Sequence, residues 1–508
     1  MPVRVVSAQE SAERDRAAID RGTPSRTLMQ RAGKAAAEEI IRRFGQLLNL
    51  GASVFVGPGN NGGDGWVVAG HLVREGVSVT MFEVGEARTP DAIAERAAVV
   101  ESVSLPGDTV IGGVAVDALL GTGFRGVPHG HVAQSIAEIN VLGEAGWGVA
   151  SLDVPSGLDA TTGEHGECVA ADVTISFGGL KRGTLLARDC CGEIVVIDIG
   201  LDEAMSSADD RLPMLIDRTW VASRLPVLRY DSHKGERKHL AIVGGGIGMP
   251  GAVALAARGA QRSGIGLVRA VVAAENTAAV VGAAPSALVA AWPGDAKTAK
   301  RDIGEWADAV VIGPGMGQSR DARKLVELSL SSSRHPVLLD ADALNVFQTD
   351  VNDLRDLLGG RPAVITPHAA EFARLAGTDV KTVLAERFDV GSSLAATLGA
   401  TVLLKGTPTV IFTPTGERLV SPRGTAALGT GGSGDILAGI AGTLLAQTND
   451  PTTAAACAAW VHGRAAELCE YVRGTTLEDV LYALPRAWNE DDLPLDPSVT
   501  ARLPAVER

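Results

Sequence analysis

The stretch Gly429-Thr430-Gly431-Gly432-Ser433-Gly434-Asp435 runs directly into an apolar segment, residues 436–446. A glycine-dense loop at a helix N-terminus leaves backbone N–H groups unpaired. Those donors and the helix dipole favour an anion, typically a phosphate. Asp435 adds a carboxylate beside that place. There it is costly unless it has work to do, and the work that fits is accepting a proton from a hydroxyl next to a phosphoryl group. The lysine of a Walker loop is absent, so this is not the usual P-loop. A Gly-rich helix start with Asp as a cap is the structural alternative.

Four further strand-end motifs share this half of the chain: Gly313-Pro314-Gly315-Met316-Gly317, Leu339-Asp340-Ala341-Asp342-Ala343-Leu344-Asn345, Thr366-Pro367-His368 with Glu371, and Lys405-Gly406-Thr407-Pro408-Thr409. Lys405 suits a phosphate as a flexible cation, or it is a solvated turn residue. His368 suits contact with a substrate, or it caps the helix that follows. The run from Val243 to Ala252 satisfies G-x-G-x-x-G at Gly246, Gly248 and Gly251. A dinucleotide site there, with Glu275 on the ribose, is disfavoured by Met249-Pro250 inside the motif and by the phosphate-type loop far downstream.

In the first half, Gly57-Pro58-Gly59-Asn60-Asn61-Gly62-Gly63-Asp64-Gly65 lies between a strand and a helix. Its G-x-G-x-x-G spacing is weak by itself, but the Asn and Asp residues add amide and carboxylate groups to a phosphate-sized nest. Asp117 and Asp153 end two further strands, the second within Asp153-Val154-Pro155-Ser156. Ligands of an open parallel sheet bind beyond the carboxyl ends of its strands. Convergence there gives a cleft with Asn61, Asp117, Asp153 and Ser156, whose hard oxygens suit a hard cation. Turn capping is the alternative for each Asp taken singly.

The elements that must position these residues alternate. Helical patterns at Ala8–Asp20 and Ser25–Phe44 precede a strand at Ala52–Val56, a helix at 65–75, and strands at 77–82, 114–117 and Gly148–Leu152. Strand-like runs follow at 183–186 and 193–199, then a linker-like stretch at 202–229. A second alternating series has strands at 240–243, 310–312, Val337–Leu339, Ala363–Ile365 and 402–404, with a helix at 252–262. The chain is expected to end in helices and a polar tail from about Asp491. The pattern predicts two α/β domains, 1–218 and 219–508, each with a parallel sheet between helices.

Composition narrows the function. The chain has 508 residues, 46% hydrophobic but only 4% aromatic, so its cores rest on Ala, Val, Leu and Ile. A net charge of −14 argues against nucleic acid and acidic membranes as partners. The five cysteines fit no zinc spacing, and Cys190 and Cys191 read as ordinary reduced thiols. No signal peptide or spanning segment is evident, and a reducing cytoplasm is expected.

The first half resembles the NAD(P)HX epimerase family over 8–201. The resemblance rests on Leu28-Met29 with Ala32-Gly33, the Gly-Asn-Asn-Gly-Gly-Asp-Gly loop, Asp-Ala-Leu-Leu-Gly-Thr-Gly from Asp117, Asp-Val-Pro-Ser-Gly-Leu-Asp from Asp153, and Phe177 with Lys181 and Gly183. It implies a Rossmann-like three-layer sandwich that interconverts the R and S hydrates of NADH and NADPH. It implies hydrate contacts at Asn60, Asn61, Gly62, Gly63, Asp64, Gly121, Thr122, Gly123, Phe124, Arg125, Gly126, Val127 and Asp153. K+ would sit on Asn61, Asp117 and Ser156. Asp153 is the expected acid/base residue at carbon 6 of the nicotinamide ring, with a pure binding role as the alternative.

The second half resembles the ADP-dependent (S)-NAD(P)HX dehydratase family, relatives of ribokinase-like kinases, over 233–472. The resemblance rests on His-Lys-Gly at His233, Gly-Met-Pro-Gly-Ala, Asp-Ala-Asp-Ala-Leu-Asn, Lys-Gly-Thr and the Gly-rich loop ending at Asp435. It implies hydrate contacts at Ala252, Gly317, His368 and Asp435. It places the adenine nucleotide on Lys405, Gly406, Thr407, Pro408, Thr409 and Gly434, with Mg2+ on the nucleotide phosphates. Two departures stand out: Ala369-Ala370 where the family has Pro-Gly, and Lys238 where it has Gly. Together the halves imply a lyase and an isomerase acting on NADHX and NADPHX with ADP, and a homo-oligomer is expected. The rivals are a vitamin or sugar kinase fused to a nucleotide-binding module, which would release a phosphorylated product, and a non-catalytic first domain.

Overall fold

Apolar strands buried on both faces and helices with one apolar side build two large sheets, each the middle layer of its own unit, beside a small parallel pair of Val5–Val6 with Leu180–Lys181. The computed structural model describes residues 2–105, 112–201, 211–348, 350–489 and 495–506. The units are Met1–Met214 with Leu493–Arg508, and Leu215–Asp492.

The first unit holds a seven-stranded sheet in the order Val499–Leu503, Glu193–Ile197, Val173–Phe177, Gly148–Leu152, Val114–Ala118, Ala52–Val56, Val79–Glu83. All neighbours are parallel except the first pair. Helices Ser25–Phe44 and Asn60–Arg74 cover one face through Ala36, Ile40, Trp66 and Leu72, all buried. Gly130–Glu144 covers the other through Ile136 and Ile139. The strand order reverses beside Ala52–Val56, and the loops that follow it and Val114–Ala118 diverge to open a cleft.

The second unit carries a ten-stranded sheet ordered Leu288–Ala291, Leu267–Val272, His239–Val243, Ala309–Ile312, Val337–Leu339, Ala363–Ile365, Thr401–Leu404, Thr409–Phe412, Arg418–Ser421, Met214–Leu215. Its first seven strands are parallel, and an antiparallel meander follows Thr401–Leu404. Helix Ser433–Thr448 is apolar almost all round because it is packed between helices Pro250–Arg262 and Pro451–Glu467.

Four sequence expectations are corrected. Residues 183–186 are not a strand: Arg182–Leu186 is a short helix, closed by Thr184 Oγ1 donating to the Lys181 carbonyl at 2.8 Å. The first glycine-rich loop is shorter than expected, because the helix begins at Asn60 and takes in the Asn-Asn-Gly-Gly-Asp run. Gly62 permits this: a Cβ there would lie 1.9 Å from the Gly57 carbonyl oxygen. Likewise Gly434 and Asp435 lie inside the first turn of Ser433–Thr448 rather than ahead of it. The tail is not merely polar: Val499–Leu503 returns to the first unit as an antiparallel edge strand, with Arg502 paired to Glu39 and Glu193. By compactness the second unit spans Leu215–Asp492, and the C-terminal strand packs with the first unit.

Both family departures have a structural answer. Lys238 takes φ +72°, the left-handed conformation that glycine adopts without strain, and its ammonium meets Asp308 at 3.5 Å. Ala369 and Ala370 open helix Ala369–Ala376 without disturbing its capping box.

Candidate active sites

In the first unit, a cleft of about 860 Å³ lies over the ends of Ala52–Val56 and Val114–Ala118. Asn60, Asn61, Asp64, Gly121, Thr122, Gly123, Phe124, Arg125 and Asp153 line it. Gly62 and Gly63 are buried in the turn behind the lining, and Gly126 and Val127 lie on the loop beyond it. Asp15 and Lys181 also line the cleft, roles the sequence reading did not give them. Lys181 was legible as part of the matched Phe177–Lys181–Gly183 set, whereas Asp15 sits in an ordinary charged helical pattern.

Asp153 adopts φ +67°, a conformation unusual for a residue with a side chain. It is held there by the Lys181 ammonium and by the Phe177 N–H at 3.2 Å. Lys181 is fully buried, and its ammonium also donates to the Phe177 carbonyl at 2.8 Å. Asp64 lines the same cleft. Burial, reinforced by the charges of Asp153 and Asp15, holds the Asp64 carboxyl well above the usual carboxylate range. Asp15 is raised as well, first by burial. The cleft thus presents one carboxylate in an ion pair and two carboxyls that resist ionisation, the separation of roles that acid–base chemistry needs.

Asn61, Asp117 and Ser156 do converge. Asp117 is fully buried and accepts from Leu119 N (3.2 Å), Ser151 Oγ (2.9 Å), Ser156 N (2.8 Å) and Ser156 Oγ (2.5 Å). Ser156 Oγ accepts from Leu120 N at 2.9 Å, and Asn61 Nδ2 donates to the Leu120 carbonyl at 2.8 Å. Burial raises the Asp117 carboxyl, and the hydrogen bonds oppose that rise. Among the described residues it forms no ion pair. A buried carboxylate offset only by hydrogen bonds stands here next to hydroxyl, amide and carbonyl oxygens, a hard donor set.

In the second unit, Gly432 caps helix Ser433–Thr448 at φ +100°, a conformation that turns the chain into the helix. Asp435 lies in the first turn. Burial pushes its carboxyl up to about 7, with Asp340 and Asp342 adding to the rise and Lys405 opposing it. Lys405 Nζ sits 2.8 Å from Asp340 Oδ1 and 3.7 Å from Glu371 Oε2, and Thr366 Oγ1 also donates to Asp340 at 2.8 Å. A Cβ on Gly434 would come within 3.5 Å of Lys405 Nζ, so the helix start and the cation are adjacent.

His368 proves to be a cap as well as a rim residue. Its Nδ1 accepts from Ala370 N (3.1 Å) and Glu371 N (3.3 Å), while Glu371 accepts from His368 N at 2.8 Å. Burial lowers its pKa. Gly317, at φ +82°, donates its N–H to Asp342 Oδ2 at 2.8 Å, and Ala252 packs beneath Gly315. The turn from Lys405 to Thr409 is braced by Thr409 Oγ1 on the Gly406 carbonyl (2.9 Å) and by the buried Arg387 on the Pro408 carbonyl (3.1 Å). Arg387 was missed, since nothing marks it in the sequence.

Two family models match the two halves: "YjeF-related protein N-terminus" over residues 25–183 and "NAD(P)H-hydrate dehydratase" over residues 240–486. The bifunctional NAD(P)H-hydrate repair enzyme Nnr of Moorella thermoacetica is 34% identical over 498 residues, spanning 92% of this chain and 93% of its own. That of Escherichia coli K12 is 33% identical over 480 residues, spanning 91% and 90%. This chain belongs to the bifunctional NAD(P)H-hydrate repair enzyme family. It is an epimerase joined to a dehydratase, and the kinase alternative and the non-catalytic first domain fall away. A crystal structure of ADP/ATP-dependent NAD(P)H-hydrate dehydratase from Bacillus subtilis, co-crystallised with ATP/Mg2+, is 31% identical and covers 54% of this chain and 96% of its own, at a TM-score of 0.47. Among the described residues, no helix is long and apolar enough to cross a membrane.

Proposed function

We propose that the two activities divide between the two units: the unit formed by Met1–Met214 with the C-terminal strand epimerises the R and S hydrates, and Leu215–Asp492 dehydrates the S form with ADP. The observation that carries the dehydratase half is Asp435, a carboxyl poised near 7 in the first turn of an anion-binding helix beside Lys405.

In that unit Asp435 accepts the proton of the ring hydroxyl as its oxygen attacks the terminal phosphorus of ADP. The new O–P bond forms as the bond to AMP breaks. Amides of Gly431, Gly432 and Gly434 stabilise charge on the transferring group, the Ser433 amide being already committed to the Thr430 carbonyl. Lys405, fixed by Asp340 and Glu371, offsets phosphate charge, and Mg2+ arrives on the nucleotide phosphates. Phosphate then leaves carbon 6 together with the proton of the neighbouring ring carbon, restoring the double bond of NADH.

In the first unit the hydroxyl at carbon 6 adjoins the ring nitrogen. Asp64 gives its proton to that hydroxyl, which leaves as water while the nitrogen lone pair forms a C=N bond. Water adds to the opposite face and passes its proton to Asp153, from which it returns to Asp64 to close the cycle. A K+ on Asn61, Asp117 and Ser156 would offset diphosphate charge and fix the neighbouring loop. A homo-oligomer in the cytoplasm is the setting we expect.

The test is incubation of the protein with mixed R and S NADHX, ADP and Mg2+, following NADH absorbance. Full conversion of both epimers, faster than spontaneous epimerisation, supports the reading. Consumption of the S form alone rejects the epimerase half, and accumulation of a phosphorylated hydrate without NADH rejects the dehydratase half.

A further inference from the structure

The cysteines and histidines of the first unit fit no metal spacing along the chain, yet the fold brings three of them together. Cys168 Sγ and Cys190 Sγ lie 2.9 Å apart. His165 Nδ1 is 3.6 Å from Cys168 Sγ and 4.0 Å from Cys190 Sγ, and its Nε2 is 3.6 Å from Cys190 Sγ. One donor atom from each residue falls within 4.8 Å of the other two. We propose that His165, Cys168 and Cys190 form a binding site for a soft divalent cation of the Zn2+ type, separate from the substrate cleft.

The donor set carries this. Two sulfurs and one imidazole select zinc-like ions and reject K+ or Mg2+, the opposite preference to the oxygens at Asn61, Asp117 and Ser156. Zn–S lengths of about 2.3 Å and Zn–N lengths of about 2.0–2.1 Å place tetrahedral ligand atoms roughly 3.6 Å apart. Measured from one nitrogen, His165 Nδ1 lies 3.6 and 4.0 Å from the two sulfurs, close to that spacing, and the sulfurs need to part by less than about 1 Å.

The backbone that presents the ligands is fixed independently of any ion. Asn140 Nδ2 donates to the Cys168 carbonyl at 3.0 Å, and Val169 N donates to the Ser156 carbonyl at 3.0 Å. Leu158 and His165 form an antiparallel bridge. Cys190 ends up buried on the short helix Arg188–Cys191, and its carbonyl accepts from Ala171 N at 3.0 Å. His165 is exposed, which gives an ion a way in and leaves room for water as a fourth ligand.

None of the three lines the cleft. The ion would instead clamp the hairpin that follows Ser156 to the Arg188–Cys191 helix, a structural role.

The experiment uses the full chain, reduced and stripped with a chelator, and titrates it with Co2+ while recording thiolate-to-cobalt charge-transfer and tetrahedral d–d absorbance. One equivalent bound, displaced by Zn2+, is the expected result. His165→Ala should lose the tetrahedral spectrum, and Cys168→Ser or Cys190→Ser the charge-transfer band, while Cys469→Ser keeps both. His165 is exposed, so its variant tests the proposal even if a cysteine variant fails to fold. Absence of a saturable band in the reduced wild type overturns the site. So does a band that survives in His165→Ala and both cysteine variants. A chain that binds no cobalt and only forms a Cys168–Cys190 disulfide on oxidation, seen by mass spectrometry, overturns it as well.

Discussion

Two carboxyls carry opposite duties at the residue scale. Asp435 is a base whose carboxyl sits near 7, so dehydration should rise with pH through about 7 as it ionises. The same shift is a stability term of the opposite sign. A carboxyl raised from 3.8 to about 7 by folding costs nothing below the unfolded value and increasingly destabilises the fold as pH climbs to the folded one. Asp435→Asn should therefore abolish dehydration by at least about 100-fold, leave epimerisation intact, and raise stability at pH 8 by on the order of 2 kcal/mol. Steady-state rates and thermal denaturation check the two halves of that statement, and a destabilised variant would mean that Asp435 is a structural cap. Asp64 is the converse case. It must hold a proton to act, so epimerisation should fall as pH rises through its raised value, and Asp64→Asn should lose about 100-fold or more in rate. A variant that retains the wild-type pH profile would remove Asp64 from the chemistry. Asp117 separates binding from capping. Asp117→Ala should weaken nucleotide binding in the first unit and abolish its K+ response, while ADP-dependent removal of pure S hydrate continues. Unchanged binding with no K+ effect on the wild type would leave Asp117 as a structural cap that holds Leu119, Ser151 and Ser156.

Helix starts decide both sites at the scale of elements. The Asn-Asn-Gly-Gly-Asp run looks like a loop in sequence but is the first turn and a half of Asn60–Arg74, which is how Asp64 comes to line the same cleft as Asp153. Helix Ser433–Thr448 likewise starts two residues before Asp435. Gly59 and Gly432 set these starts, and hydrophobic periodicity cannot locate them because the first turns are too rich in glycine. His368 shows the same ambiguity: its Nδ1 is committed to a capping box and its Nε2 lies 3.5 Å from Glu371 Oε1. Lys238 is an element-level feature that works against the fold. Its φ of +72° is strained for a lysine, and the partly exposed ion pair with Asp308 offsets little of that. Lys238→Gly should stabilise the second unit by about 1 kcal/mol without changing the dehydration rate. A denaturant midpoint that falls instead would show that the Asp308 contact outweighs the strain.

At the scale of the whole molecule, the C-terminal strand departs from the sequence order of the two large sheets. Val499–Leu503 follows the last helix of the second unit yet completes the sheet of the first, where Arg502 meets Glu39 and Glu193. Its alternating burial at Val499, Ala501 and Leu503 is a period-2 signal that could have been read. The preceding Asp496-Pro497-Ser498, however, disguises five residues of strand as part of a polar tail. Loss of that strand uncovers the edge of Glu193–Ile197 and leaves the buried Glu39 with Arg42 alone. Truncation after residue 489 should therefore destabilise the epimerase unit by several kcal/mol, lowering its calorimetric transition while that of the dehydratase unit holds. Equal loss in both transitions would contradict the division into units.

The sequence by itself determined the two α/β units, the strand-end motifs and the chemistry they imply. Those signals are local: apolar runs of fixed period and glycines at fixed offsets from a carboxylate. Only the tertiary structure decided which carboxyls can hold a proton. The shifts of Asp64 and Asp435 arise from burial and from charges on segments far away in sequence, Asp153 for one and Asp340 for the other. The Lys181–Asp153 pair, the Arg387 brace, the returning strand and the meeting of His165 with two cysteines are likewise contacts between distant segments. No spacing along the chain encodes them, because each depends on how whole elements pack.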